Sequence, residues 1–104
     1  MNPTEVENCV LEVLRGLYAE LGRPVPVDLG PQTRLFGGPE GFDSVTLVTL
    51  VADLESRVVE RFGRDVVLAD ERAMSEKLSP FRRVSTLVDL IVERLREAGV
   101  ALKP

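Results

Sequence analysis

Val6, Val10, Val13, Leu14, Leu17 and Leu21 recur at spacings of three or four along the first part of the chain. That spacing lines one side of a helix, so a helix is predicted over 3–21. Thr4 or Asn2 stands where it can cap the start. Gly22, Pro24 and Pro26 end the element, because proline lacks a backbone donor and disfavours helical geometry in the residue before it. The periodicity then disappears. Gly22, Gly30, Gly37, Gly38 and Gly41 are interleaved with Pro24, Pro26, Pro31 and Pro39, which predicts a long loop over 22–43. A loop of that length inside a compact domain calls for anchors, and Leu29, Leu35 and Phe36 are the apolar residues available.

A second stripe, Leu47, Leu50, Val51, Leu54 and Val58, opposes a polar arc of Thr46, Thr49, Asp53 and Glu60. It predicts a helix running to about Phe62, with Asp43 or Ser44 as N-cap and Gly63 as the C-terminal stop. Projected around that helix, Val45, Val48, Ala52 and Val59 lie on a flank beside the main stripe, with Glu55 next to them. The flank is either a partly apolar docking face or a surface packed on the loop or the third helix. A short apolar run, Val66 to Leu68, leads into residues 69–77, which have room for one or two helical turns before Pro80. The last helix reads from Thr86 and Asp89, spaced as in a capping box, through Leu87, Leu90, Ile91, Leu95 and Ala98 to Gly99. The order predicts an all-α four-helix bundle: three main helices, one short third helix and a long loop between the first and second.

Composition narrows the chemistry. One domain over 1–104 is expected, with its core at about 4–98, and 44% hydrophobic with 29% charged residues is the make-up of a folded chain. Thirteen Lys and Arg against 17 Asp and Glu give a net charge of −4, so no basic stripe is available for nucleic acid. A single cysteine, Cys9, and no histidine leave no zinc-ligand spacing and no Ser-His or Cys-His nucleophile pair. Cys9 reads as structural, and catalysis is not expected of this chain. No apolar stretch approaches the length of a membrane span and the acidic start is unlike a signal peptide, so the expected location is cytoplasmic, without membrane insertion.

What remains is Thr33-Arg34-Leu35-Phe36, followed by Gly41-Phe42-Asp43-Ser44-Val45 at the head of an amphipathic helix. Taken alone, an aspartate and serine at a helix start are capping residues. Together with the glycine, the upstream Leu-Phe pair and the following apolar residue, the segment resembles that of acyl carrier proteins and peptidyl carrier domains, and the helix order matches over roughly the whole chain. The resemblance implies a phosphopantetheine arm attached at Ser44, with Gly41, Asp43 and Val45 as supporting motif residues. A phosphopantetheinyl transferase would activate the serine to attack coenzyme A, and Asp43 would help position the serine and the transferase's metal. The function implied is that of a non-catalytic, monomeric carrier. It would hold acyl intermediates as thioesters and present them to acyl-activating, acyl-transfer or synthase enzymes of a lipid or specialised pathway. An aminoacyl, peptidyl or D-alanyl carrier is the nearest alternative, and a helical adaptor without a prosthetic group is the alternative from another class.

This chain departs from the family pattern at Val45, where leucine is usual, and at Thr46 and Thr49, where fatty-acid carriers place acidic residues. The threonines leave the near end of the recognition face weakly charged. A second helix about a turn longer, with a longer segment from Asp65 to Val84, than in fatty-acid carriers suggests a specialised member. On the docking reading of the flank, its partners meet Val48, Ala52 and Glu55. Met74 and Phe81 either line a cargo cleft or fill the core, and Arg82 and Arg83 read as a solvated corner.

Overall fold

The computed structural model describes residues 3–35, 42–68 and 81–99, with Ser44 described by its backbone alone. Three helices account for most of them: α1 (Pro3–Glu20), α2 (Ser44–Phe62) and α3 (Val84–Glu97). Among the described residues there is no strand, and an isolated antiparallel bridge joins Arg34 to Arg83. The architecture is all-α. The expected short helix over 69–77 lies outside the described residues, as do Phe36, Gly41 and Met74.

Helix α1 packs against both of the others. Its buried residues are Val6, Cys9, Val10, Val13, Leu14, Leu17 and Tyr18, the stripe that the spacing predicts with Cys9 and Tyr18 added at its edges. Pro3 opens the helix, where its missing N–H costs nothing, and Thr4 lies inside the first turn and is not the cap. Leu21 falls just outside the helix and is exposed. Gly22 takes a left-handed conformation with φ of 68°. The Gly22 N–H then reaches the Ala19 carbonyl at 3.1 Å and the Arg23 N–H reaches the Tyr18 carbonyl at 2.9 Å. These paired bonds form a Schellman motif, in which glycine avoids the steric cost that a side chain meets at positive φ.

Leu50, Leu54 and Val58 of α2 are fully buried against the same core, as are Leu87, Ile91 and Leu95 of α3. Complete burial of each such side chain contributes about 1.5–3 kcal/mol relative to exposure. Gly63, at φ of 70°, ends α2 by donating to the Val59 carbonyl. Arg57 and Arg61 converge on Glu12 across the α1–α2 seam at 3.3 and 3.8 Å, and these exposed pairs add little. Phe81 is buried in the core, which answers the cleft-or-core question for that residue.

The start of α3 differs from the sequence expectation. The helix begins at Val84, two residues before Thr86, with Arg83 at the N-cap position. Thr86 is the third helical residue; its hydroxyl accepts the Arg83 N–H at 3.1 Å and donates to the Arg83 carbonyl at 2.9 Å. The physical reason is long-range. Leu35 donates to the Arg82 carbonyl, Val84 to the Thr33 carbonyl and Ser85 to the Pro31 carbonyl, at 2.8, 3.0 and 2.8 Å. This seam pins the loop after α1 to the entry of α3 and fixes where the helix can begin. Arg83 is accordingly half-buried, with its guanidinium bonded to Gln32, while Arg82 stays exposed.

Candidate functional site

The start of α2 is built from the loop upward. Leu35 is fully buried, and its carbonyl accepts the Phe42 N–H at 2.7 Å, so the two described ends of the loop meet there. The Phe42 ring packs beside Tyr18 of α1, with centroids 5.4 Å apart and planes at 44°, a tilted geometry that suits the opposed charges of ring edge and face. Phe42 and Leu47 occupy the two positions of a hydrophobic staple, one before the cap and one in the first turn, and both sit at the core.

Asp43 is the N-cap. Its backbone is extended, with φ of −76° and ψ of 174°, and its Oδ1 accepts the Thr46 N–H at 2.8 Å. That hydrogen bond, then the Thr46 hydroxyl, then the Val45 N–H hold the Asp43 carboxyl below its ordinary pKa, since each favours the charged form. Of the two capping candidates in the sequence, Asp43 therefore takes the role, and Ser44 is the first helical residue. No acidic residue lies in the first turn, which leaves the positive end of the helix dipole unneutralised there apart from Asp43.

Beyond Ser44 the predicted flank is at the surface. Val45 and Val48 are 77% and 68% exposed, Ala52 is exposed and Val59 is 40% exposed. Among the described residues this flank is not packed away. Thr49, also exposed, donates its hydroxyl back to the Val45 carbonyl at 3.3 Å. Glu55 is different: it is half-buried, and its Oε2 accepts the Leu68 N–H at 2.8 Å, tying the chain after α2 back onto that helix. Gly41, the other supporting motif residue, lies outside the described residues.

Other chemistry is sparse. Among the described residues no group of three or more His, Cys, Asp or Glu is placed to hold a metal. Cys9 is buried, and burial pushes its thiol pKa up, with Arg57 and Arg61 pulling the other way. A groove of about 280 Å³ between α1 and α2 is lined by Glu12, Gly16, Asp53, Ser56, Arg57 and Glu60, away from the first turn of α2. No described helix is long and apolar enough to cross a membrane.

Sequence reasoning passed over two contributors. Thr46 was counted as part of the polar arc, yet its amide and hydroxyl both serve Asp43; a threonine three residues after an aspartate at a helix start was the available signal. Tyr18 was not in the predicted stripe, and its pairing with Phe42, across the long loop, leaves no local mark. Compared with family models, with curated proteins and with solved structures, the chain matches none.

Proposed function

We propose that this protein is an acyl carrier whose phosphopantetheine arm is attached at Ser44. The observation that carries the reading is the division of labour at the start of α2: Asp43 caps the helix, so capping gives no structural reason for the serine that follows. The surroundings fit the group. A phosphodiester at the first helical position meets the positive end of the dipole with no acidic residue in the first turn, and Asp43 is turned toward Thr46 by its hydrogen bonds. The exposed Val45 and Val48 next to it offer apolar surface to an arm or a partner.

When bound, the arm supplies a thiol on which an acyl group is held as a thioester. Ser44 contributes the oxygen through which the arm is attached. Asp43 keeps the helix start fixed, and its exposed carboxylate is available to the transferase's metal. The reading includes the four-helix acyl-carrier bundle, with a short additional helix in the stretch between α2 and α3, activating and transfer enzymes as partners, and a cytoplasmic setting.

Incubation with coenzyme A and a broad-specificity phosphopantetheinyl transferase should add one arm to the wild-type chain, mapped to Ser44, and none to Ser44→Ala. That variant should stay folded because Asp43 remains as the cap. An unmodified wild-type chain under several active transferases, or attachment at Ser56, refutes the proposal and leaves the helical adaptor as the better reading.

A further inference from the structure

We infer that Arg23 is a positioning residue for Ser44, an inference that rests on the carrier reading. The Schellman turn folds the chain back at Gly22, and this sets the Arg23 guanidinium carbon 5.5 Å from the centre of the Tyr18 ring and 5.2 Å from the centre of the Phe42 ring. Both distances lie within the range at which a cation is attracted to the negative face of an aromatic ring. The two rings belong to different parts of the chain: Tyr18 to α1, and Phe42 to the segment two residues ahead of Ser44.

One cation thus couples the end of α1 to the start of α2. Both rings are buried and Arg23 is half-buried, so the attraction is screened by water less than at a fully exposed site. Phe42 is held by its backbone as well, through the bond to Leu35, and the guanidinium completes the fixation from the side-chain end. Ending α1 does not require arginine. Gly22 supplies the left-handed turn, and the bond to the Tyr18 carbonyl uses only a backbone N–H, which nearly any residue provides. The side chain at position 23 is therefore not needed for the turn itself, and its guanidinium lies against the ring pair. A modified serine must be presented in one geometry, and loss of such positioning lowers the rate of the chemical step more than the affinity of the encounter.

The test compares Arg23→Leu and Arg23→Lys with the wild-type full chain, each treated with coenzyme A and a broad-specificity phosphopantetheinyl transferase at a temperature where circular dichroism shows all three folded. For Arg23→Leu, kcat/KM for arm attachment should fall roughly five- to thirty-fold, the reach of one or two ring contacts, and the fall should lie in kcat. Arg23→Lys keeps a cation and should recover part of the rate. The chain has one tyrosine and no tryptophan, so ultraviolet emission reports on Tyr18 alone; it should change in Arg23→Leu and return toward wild type in Arg23→Lys. Wild-type kinetics in Arg23→Leu overturn the inference, and so does a loss confined to KM and relieved by salt, which marks a direct contact with the transferase. If the wild-type chain takes no arm, the carrier reading fails and this inference with it. If the wild type is modified and Arg23→Leu keeps pace, the inference alone fails.

Discussion

Glu55 sits on the flank that the sequence offers to partners, yet its carboxylate is bonded to a backbone amide of the same chain, and the two roles predict different behaviour. Glu55→Ala removes the acceptor of the Leu68 N–H, 2.8 Å away, at a residue whose side chain is fully buried. Leaving a desolvated donor without its partner costs about 1–3 kcal/mol. The bond is only partly buried and alanine is slightly the better helix former, so about 1.5 kcal/mol is the expected net loss. For a domain of this size that lowers Tm by about 6–12 °C. Glu55→Gln retains a carbonyl oxygen able to accept the same N–H and gives up only the assistance of charge, so it should lose about half as much. Denaturant unfolding followed by helical circular dichroism measures the difference, and hydrogen exchange at the Leu68 amide reports it locally. The reasoning is refuted if Glu55→Ala unfolds at the wild-type midpoint with Leu68 protection unchanged. Glu55 would then face outward in solution and be free to act as a docking charge.

Further expectations concern the core, the cap and the flank. Leu54→Ala, at a fully buried site of α2, should cost about 2–5 kcal/mol in urea unfolding, and a loss under about 1 kcal/mol would contradict its place in the core. Asp43 has a lowered folded-state pKa, so the stability it contributes is present above the unfolded value of about 3.9 and fades as pH falls through the lower folded value. Wild type and Asp43→Asn should accordingly converge in acid, and a carboxyl titration by NMR with a midpoint at or above the ordinary value argues against the cap geometry. Val48→Ser, at a largely exposed site, should leave stability within about 0.5 kcal/mol while slowing transfer to a partner enzyme; unimpaired transfer removes Val48 from the docking face.

The helices were legible because each carries its own periodicity and stop signals. Val6 to Leu17 and Leu50 to Val58 mark buried faces that the structure reproduces, and Gly22 and Gly63 take the left-handed conformations that end α1 and α2. The start of α3 was misplaced because Thr86 and Asp89 imitate a capping box, whereas bonds from residues 31–35 to 82–85 decide where the helix begins. Such pairing has no local period for a sequence reading to detect. At the site, the sequence left Asp43 and Ser44 as equal candidates for the cap. Only the geometry of the Asp43 carboxylate against the Thr46 amide separates them. The exposure of Val45 and Val48 was likewise open, since helical projection says which residues share a flank and not what covers it.

The seam between the loop and the entry of α3 also bears on the order in which the molecule can be completed. Gln32 and Arg83, bonded across it, are 51 residues apart in the chain. Closing a loop of that span must precede any reward from the contact, so such pairings form late compared with helical turns that bond only near neighbours. During synthesis the N-terminal part emerges first. Helices α1 and α2 can coil as soon as they leave the ribosome, but the Thr33 carbonyl and the Leu35 N–H meet their partners only once residues 82–84 follow. Leu35 in turn fixes Phe42, so the segment leading to Ser44 acquires its settled conformation only once the beginning of α3 is outside.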